Sequence, residues 1–209
     1  MTDPRGALIA TARQLEPTGL SKGTSGNVSV RWQDGYYITP TGMDYAALTD
    51  DDIPFMGLDG RQQGARKPSS EWRFHHNLYA GRPEAGAIVH AHSPFATSIA
   101  CLRRDIPPFH YMIARFGGAT VRCADYATFG TQALSDAVIA ALHERSACLL
   151  ANHGMLVCGR DLKQALDLAV ELESLCEQYW RACQLGEPVL LDGEEMARVL
   201  EKFAGYGQQ

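Results

Sequence analysis

The sequence predicts a single α/β domain whose central sheet is mixed, mainly antiparallel, and covered by helices on both faces. Short apolar runs with alternating periodicity lie between stretches of helical periodicity. Some strands are joined by tight turns such as Asp34-Gly35, which indicates antiparallel pairing, whereas others are separated by a helix. No linker or repeat interrupts the 209 residues, so we treat 1–209 as one domain.

Each predicted element follows from the local spacing of apolar residues. Helices are assigned where apolar residues recur at intervals of three and four, and strands where they alternate over a few positions. In chain order, the expected elements are a helix at 4–15, strands at 28–32, 36–38 and 53–58, a helix at 69–80, a strand at 87–92, a helix at 94–102, a strand at 110–114, a helix at 131–144, strands at 147–151 and 155–157, and helices at 161–184 and 193–203.

Particular residues set the ends of these helices. Ser69 or Ser70 is expected to cap the helix at its N-terminal side, because a side-chain oxygen can accept a hydrogen bond from a free N–H of the first turn. Pro94 opens the helix that follows the strand at 87–92, since the first helical position needs no N–H donor. Thr131 and Asp161 are the predicted caps of the next two helices.

The overall composition limits the classes of partner. The chain is 45% hydrophobic and 21% charged, with a net charge of −5. Basic residues form no cluster beyond Arg103-Arg104, so neither a nucleic acid nor an anionic membrane is expected. The N-terminus lacks a signal-peptide pattern, no segment is apolar enough to span a bilayer, and the six cysteines form no CxxC pair. We therefore expect a cytoplasmic protein with reduced thiols.

Three histidines at strand ends form a candidate metal site. His90 and His92 close an apolar strand and are two residues apart, so their side chains point to the same face. An isolated His-x-His motif is usually an ordinary surface feature. Here, however, His153 follows a second apolar run, and Glu71 adds a carboxylate. Zinc held by three protein nitrogens keeps a position open for substrate. This pattern indicates a metalloenzyme.

The other histidines carry weaker arguments. His75 and His76 lie inside a predicted helix, where adjacent residues do not share a face. His143 is expected on a helix surface, and His110 precedes Tyr111 in a segment where it could simply orient a loop. None of these four is expected to bind the metal.

Three short segments have the composition of an anion pocket. Residues 23–29, 39–42 and 68–71 combine small residues with hydroxyl side chains and free backbone N–H groups, and the last segment opens a helix. Each segment alone is most often a plain turn. Together, and beside a candidate metal site, they indicate a phosphorylated substrate.

Motifs along almost the whole chain resemble one known family. The matching segments are Thr24-Ser-Gly-Asn-Val-Ser-Val-Arg31, Ile38-Thr-Pro-Thr-Gly42, Pro68-Ser-Ser-Glu-Trp-Arg-Phe-His75, Ile88-Val-His-Ala-His92, 107–113, Tyr126-Ala-Thr-Phe-Gly-Thr131, 149–154, and Val199-Leu-Glu-Lys-Phe203 with Tyr206. By these residues the chain is similar to the class II aldolase/adducin family, and within it to the fuculose-type sugar-phosphate aldolases.

The resemblance implies a homotetramer with fourfold symmetry and active sites between neighbouring subunits. It implies one zinc ion, or another divalent metal, per subunit, held by His90, His92 and His153 with Glu71 nearby. It also implies a set of phosphate-binding residues: Gly26, Asn27, Thr41, Gly42, Ser69 and Ser70.

Further positions match the aldehyde side of the family's site. Phe129 matches a residue that lines it, and Tyr111, Phe203 and Tyr206 match residues at the subunit boundary. Ordinary core or interface packing is the competing explanation for Phe129, Phe203 and Tyr206. Phe116 is a further candidate, because Arg115-Phe116 stands where small residues are usual in the fuculose-type enzymes.

The implied reaction is reversible cleavage of a ketose 1-phosphate between C3 and C4. The products would be dihydroxyacetone phosphate and a small aldehyde such as lactaldehyde, the aldehyde released from L-fuculose 1-phosphate. Glu71 would exchange the proton at C3, and Tyr111 of a neighbouring subunit would take the proton of the C4 hydroxyl. The metal would stabilise the negative charge left on the substrate. No lysine lies in a motif that indicates a Schiff base.

Alternative functions keep the same residues. A first is an aldolase for 5-deoxy- or 5-methylthio-ribulose 1-phosphate. Others are a methylthioribulose-1-phosphate dehydratase, which can share Glu71, and a pentulose-phosphate 4-epimerase, in which aspartate stands at that position. A non-catalytic adducin-like scaffold fits least, because this chain retains every candidate metal ligand.

Overall fold

The computed structural model describes residues 2–204. Its six α-helices are α1 (Arg5–Gln14), α2 (Trp72–Gly81), α3 (Pro94–Ala100), α4 (Gln132–Ala141), α5 (Leu162–Leu185) and α6 (Gly193–Ala204). Its eight strands are β1 (Asn27–Trp32), β2 (Gly35–Ile38), β3 (Phe55–Gly57), β4 (Gln62–Gln63), β5 (Ala87–Ala91), β6 (Arg122–Ala124), β7 (Ala147–Leu150) and β8 (Gly154–Gly159). Three 3-10 segments cover Tyr45–Ala47, Asp50–Asp52 and Tyr111–Phe116.

The strands form one sheet in the order β4-β3-β2-β1-β5-β8-β7-β6. Every neighbouring pair is antiparallel except β6 with β7, which is parallel. The predicted mixed, mainly antiparallel sheet is therefore confirmed. Strand β5 lies between β1 and β8 and is buried along its whole length, so the His-x-His motif that begins on it starts from the middle of the sheet.

Two apolar cores cover the two faces of the sheet. The larger takes the buried residues of α1, α3 and α5, and the smaller takes those of α2 and α4. Side chains of β5 alternate between them, with Val89 in the larger core and Ile88 in the smaller. His90 shares the face of Ile88, and its ring lies 5.5 Å from the ring of Phe74 on α2. The α2 face of the sheet therefore carries the candidate metal site.

The segment predicted as a strand at 110–114 is instead a 3-10 helix over Tyr111–Phe116, so that prediction is wrong. The Nδ1 atom of His110 accepts a hydrogen bond from the N–H of Met112 at 3.2 Å, which starts the turn. Ile113 and Phe116 are both fully buried, and a spacing of three places them on one side of a 3-10 helix. Gly117, with φ of 91°, ends the segment.

Other differences concern element ends and short strands. Helix α2 begins at Trp72 with Glu71 at its N-cap position, so neither Ser69 nor Ser70 is the cap. The Oγ of Ser69 instead accepts from the N–H of Glu71 at 3.3 Å. Strands β4 and β6 were not expected, because two and three residues are too few to show alternation. The predicted caps Thr131 and Asp161 are confirmed, each accepting from a backbone N–H of the first helical turn.

All six cysteines are free thiols, in agreement with the expected reduced state. Within residues 2–204, none of the helices is both long enough and apolar enough to cross a membrane.

A partly buried set of hydrogen bonds, here called the clamp, joins α5 to the segment that follows the His-x-His motif. Glu173 accepts three hydrogen bonds: from the Oγ of Ser93 at 2.6 Å, and from the backbone N–H groups of Phe95 at 2.8 Å and Ala96 at 2.9 Å. These N–H groups belong to the first turn of α3, where a carboxylate is favoured by the helix dipole. Because Ser93 directly follows His92, the clamp holds the chain where it leaves the candidate site.

We expect Glu173→Gln to lower the free energy of unfolding by about 1–3 kcal/mol, because an amide has only one accepting oxygen for three donors. Chemical denaturation of the variant measures this. Glu177→Gln is the matched control one turn further along α5, where the carboxylate pairs only with Arg181 at the surface. This control should change stability by less than about 0.5 kcal/mol, and equal losses in both variants would contradict the clamp.

Candidate metal centre and substrate cavity

Four side chains converge on one point at the α2 face of the sheet. Each of Glu71, His90, His92 and His153 offers a ligand atom, and these four atoms lie within 4.8 Å of one another. The Nε2 atom of His90 is 3.0 Å from Nε2 of His92 and 3.1 Å from Oε2 of Glu71. The Nε2 atom of His153 is 3.3 Å from Oε1 of Glu71. The structure thus brings together all the residues predicted as metal ligands.

Separate chain segments supply these ligands. His90 lies on β5, His92 follows the strand, His153 lies in the turn between β7 and β8, and Glu71 precedes α2. The turn reaches the strand because residue 154 is glycine: a Cβ atom there would lie 2.4 Å from the backbone oxygen of Ala91. Any other residue would push His153 away from His92.

The donor set fits a divalent metal ion. The Nδ1–H of His90 donates to the backbone oxygen of Met155 at 2.8 Å, which leaves Nε2 to face the other ligands. Two ring nitrogens at the 3.0 Å separation of His90 and His92 need a shared proton or a cation between them. Oε1 of Glu71 is buried without a hydrogen-bond partner, so it too is an atom that a cation would satisfy.

The local electrostatics act differently on the four ligands. Burial lowers the pKa of His90, but attraction and a hydrogen bond from Glu71, with the hydrogen bond to Met155, outweigh it and raise this pKa. Burial raises the pKa of Glu71, but attraction and a hydrogen bond from His90, with attraction from His153 and His92, outweigh it and lower this pKa to about 2. Burial, followed by repulsion from His90, lowers the pKa of His92 and of His153 to about 4. At neutral pH the carboxylate is therefore ionised and these two rings are neutral, as ligation requires.

A cavity of about 360 Å³ opens directly onto the metal centre. Its wall includes Glu71, His92 and His153, while His90 lies fully buried behind them. All the residues predicted to bind phosphate line the same cavity, namely Gly26, Asn27, Thr41, Gly42, Ser69 and Ser70. No lysine or arginine belongs to this lining within the described residues, and α2 begins beside it. The groups in this lining that could donate to an anion are hydroxyls, backbone N–H groups and the N-terminal end of α2.

The loop before β1 depends on glycine. Gly26 has φ of 83°, and a Cβ atom there would lie 2.6 Å from the backbone oxygen of His90. The Tyr45 hydroxyl donates to the backbone oxygen of Gly26 at 2.7 Å and supports the loop from its other side. This close approach places one wall of the cavity against the strand that carries His90.

Sequence reasoning missed a buried set of polar residues behind Glu71. The amide Nδ2 of Asn27 donates to Oε2 of Glu71 at 3.0 Å, and Oδ1 of Asn27 lies 2.5 Å from Nε2 of His75. The Oγ of Ser29 lies 2.7 Å from Nδ1 of His75 and 2.8 Å from the hydroxyl of Tyr79. The spacing of four between Glu71, His75 and Tyr79 could have revealed this set, because it puts them on one helix face.

Two aromatic residues stand at the cavity mouth. Tyr126 and Phe129 line the cavity, and Phe129 is 65% exposed. Phe116 does not line this cavity, because its side chain is fully buried in the larger core. The prediction that it shapes the aldehyde side is therefore wrong. Its neighbour Arg115 pairs with Glu171 at 3.1 Å on the other side of the molecule's core.

The residues predicted for a subunit boundary lie apart from this cavity. Tyr111 is half exposed, and its ring stacks parallel to the ring of Phe203 with centroids 6.4 Å apart. Both line a second, larger cavity of about 1330 Å³, mostly apolar, between the 3-10 segment and α6. Tyr206 lies outside the described residues.

The fold and the site together define a metal-dependent class of enzyme. Residues 6–180 match the family described as Class II Aldolase and Adducin N-terminal domain. The chain belongs to this family. It is a class II aldolase, and therefore a lyase, since similar aldolases match it over nearly its whole length.

Three similar proteins illustrate the match. A Rhodospirillum rubrum protein named 5-methylthioribulose-1-phosphate/5-deoxyribulose-1-phosphate aldolase is 56% identical over 97% of this chain and 92% of its own. The L-fuculose phosphate aldolase of Escherichia coli K12 is 48% identical over 96% of this chain and 94% of its own. A solved structure of an L-fuculose 1-phosphate aldolase superposes with a TM-score of 0.94, at 42% identity, covering 98% of this chain and 97% of that one.

We expect His92→Ala to lose both the bound divalent metal and the catalytic activity, because it removes one of three nitrogen ligands. Elemental analysis of protein purified without added metal measures the first effect. His143→Ala is the control, since His143 is exposed after the end of α4, its ring lies 4.0 Å from the carboxylate of Glu144, and it is not part of the candidate metal cluster. Full activity in demonstrably metal-free protein would contradict the metal-centre assignment.

Proposed function

We propose that this chain is a zinc-dependent aldolase that cleaves 5-methylthioribulose 1-phosphate or 5-deoxyribulose 1-phosphate. The products are dihydroxyacetone phosphate and methylthioacetaldehyde or acetaldehyde. The observation that carries the proposal is the wall shared by the metal centre and the phosphate segments. For the sugar, the 56% identity to the methylthioribulose-type relative favours this substrate over the L-fuculose 1-phosphate that sequence analysis preferred.

The phosphate of the substrate is held by the neutral segments of the cavity. Hydroxyls of Thr41, Ser69 and Ser70 and the backbone around Gly26 and Gly42 donate to its oxygens. Asn27 remains a predicted phosphate contact, although one of its amide N–H groups is already donated to Glu71. Binding at this end fixes the dihydroxyacetone phosphate half of the sugar against the metal ligands.

Glu71 moves the proton at C3. When bound by these residues, zinc supplies Lewis-acid stabilisation of the negative charge that develops as the C3–C4 bond breaks; three imidazoles and a carboxylate suit zinc. The carboxylate of Glu71 lines the same cavity. In the condensation direction it removes the C3 proton and becomes the carboxylic acid; in cleavage it first takes up a proton from solvent and then donates that proton to C3. No lysine lines the cavity, which leaves no amine for a Schiff base from these residues.

Tyr111 acts from a neighbouring subunit of a homotetramer. It does not line the cavity that holds Glu71 in its own chain, and its half-exposed ring is available to another copy. Its oxygen accepts the proton of the C4 hydroxyl as the C3–C4 bond breaks, while the phenol releases its own proton to solvent. Phe203, which stacks on Tyr111, helps to hold that ring at the subunit boundary. Tyr206 lies outside the described residues and stays a predicted residue of the same boundary.

The aldehyde half meets an apolar, aromatic mouth. Phe129 and Tyr126 supply ring faces there, and neither methylthioacetaldehyde nor acetaldehyde carries a hydroxyl that needs a partner. Lactaldehyde does carry one. L-fuculose 1-phosphate stays the second candidate because of the 48% identity to its aldolase and the 0.94 TM-score.

Kinetic comparison of ketose 1-phosphates tests the proposed substrate. We expect kcat/KM for 5-methylthioribulose 1-phosphate and 5-deoxyribulose 1-phosphate to exceed that for L-fuculose 1-phosphate by about 10-fold or more, since an apolar pocket discriminates by about 1–3 kcal/mol for a small group. Chromatography of the products identifies each aldehyde. A preference for L-fuculose 1-phosphate would return the assignment to the second candidate, and a product that keeps all the sugar carbons would exclude an aldolase.

Mixing two inactive variants tests the subunit arrangement. Glu71→Gln and Tyr111→Phe subunits, exchanged in equal amounts, should recover about a quarter of wild-type activity, because about that share of boundary sites holds an intact glutamate and an intact neighbouring tyrosine. Glu71→Gln mixed with His92→Ala is the matched control. It should recover no activity, because each site takes Glu71 and His92 from the same chain, so every site lacks one of the two. No recovery in the first mixture, despite proven subunit exchange, would mean that each chain uses its own tyrosine.

A further inference from the structure

We propose that the buried residues Tyr79, Ser29, His75 and Asn27 form a hydrogen-bond relay that positions Glu71, so that Oε2 is its anchored oxygen and Oε1 its proton-carrying oxygen. The inference deepens the proposed function and rests on it for the role of Glu71. It assigns a positioning role to His75, whose side chain does not line the cavity and hydrogen-bonds to Asn27 and Ser29.

The relay is continuous and shielded from water. Nδ2 of Asn27 lies 3.0 Å from Oε2 of Glu71, and Oδ1 of Asn27 lies 2.5 Å from Nε2 of His75. The Oγ of Ser29 lies 2.7 Å from Nδ1 of His75 and 2.8 Å from the hydroxyl of Tyr79. All of its members are at most 2% exposed, apart from Glu71 itself at 7%. Asn27 and Ser29 point to one face of β1, while His75 and Tyr79 stand one turn apart on α2.

The ionised carboxylate fixes the direction of every link. Because Oε2 of Glu71 can only accept, Asn27 must turn its NH2 group toward it and its oxygen toward His75. That oxygen needs a donor, so the proton of His75 is on Nε2 and its Nδ1 accepts from the Ser29 hydroxyl. Ser29 then has only its lone pairs for Tyr79, whose O–H must donate. Burial lowers the pKa of His75 to about 3, which agrees with a neutral ring.

The relay distinguishes the two oxygens of Glu71. Oε2 receives the Asn27 N–H and lies 3.1 Å from Nε2 of His90. Oε1 has no hydrogen-bond partner among the described residues and lies 3.3 Å from Nε2 of His153, a residue that lines the cavity. A carboxylate held at one oxygen keeps its plane fixed while the other oxygen stays available for proton transfer. Precise placement of this kind accounts for large rate factors.

Nuclear magnetic resonance of the ¹⁵N-labelled, metal-loaded protein tests the direction of the relay without measuring activity. We expect the His75 ring to be neutral and protonated at Nε2, with a downfield Nε2–H proton that exchanges slowly. A ring protonated at Nδ1, a mixture of the two tautomers, or an imidazolium would overturn the relay. The protonation site of His75 can be measured in this way whether or not the proposed reaction is right.

Substitution of His75 tests its effect on Glu71. His75→Leu keeps the apolar packing but removes the donor to Asn27, so we expect deuterium exchange at C3 of dihydroxyacetone phosphate, measured without aldehyde, to slow by about 10- to 100-fold in kcat. KM and bound metal should change by less than about 3-fold, as the phosphate hydroxyls and imidazoles are untouched. His75→Gln retains an N–H donor and an oxygen acceptor, so it should recover most of the rate.

His76→Leu is the matched control on the same helix, because His76 contacts only the rings of Trp72 and Tyr36 and no member of the relay apart from its chain neighbours. It should exchange at the wild-type rate. Wild-type exchange in folded His75→Leu, or equal losses in the leucine and glutamine variants, would overturn the positioning role. Absence of exchange in the wild-type protein would instead reject the proposed reaction and leave the spectroscopic test to decide on the relay.

Discussion

The rest of the structure depends on one electrostatic arrangement: three imidazole nitrogens and a carboxylate, largely removed from water, that point at a common centre. Such a cluster is unfavourable on its own, since lone pairs and a negative charge face one another, and a cation balances it. The fold has to hold the cluster together before any cation stabilises it. Strand β5, covered on both sides and paired on both edges, provides the rigid base for His90 and His92.

Close backbone contacts bring the remaining groups to that base. Gly154 lets the turn with His153 reach β5, and Gly26 lets the anion-binding loop lie against the same strand. Glu173 then holds the chain immediately after His92 through three hydrogen bonds. Strand β5 and the residues directly after it thus contact a metal ligand's turn, the predicted anion-binding loop and the first turn of α3. A shift of that strand would therefore change the metal site and the adjoining cavity together.

The metal ligands could be predicted from sequence because a period of two fixes the face of a strand, and His90 and His92 show that period directly. The composition of three segments predicted an anion pocket, and the six residues predicted to bind phosphate line one cavity. The 3-10 segment at Tyr111–Phe116 was mistaken for a strand, since five or six residues with buried positions fit either period. The adjacent positions of His75 and His76 place them on different helix faces, which gives no sign of a site. The role of His75 follows only from its spacing of four from Glu71 and from Tyr79. Contacts such as that of Glu173 join segments about 80 residues apart, which no local pattern records.

No lysine or arginine is present among the described residues that line the cavity, and this affects how the proposed phosphorylated substrate would arrive. The chain carries a net charge of −5, so at long range it repels a phosphorylated sugar and does not guide it inward. Attraction begins only within the reach of hydroxyls, amide groups and a helix end, whose fields decay over a few ångströms. The encounter rate would therefore be set by ordinary diffusion, with little electrostatic steering. Binding would then depend on how well the desolvated phosphate fits the donors of the cavity. A site of this kind selects phosphate by shape and donor geometry, and it releases a phosphorylated product without having to separate it from a fixed guanidinium or ammonium.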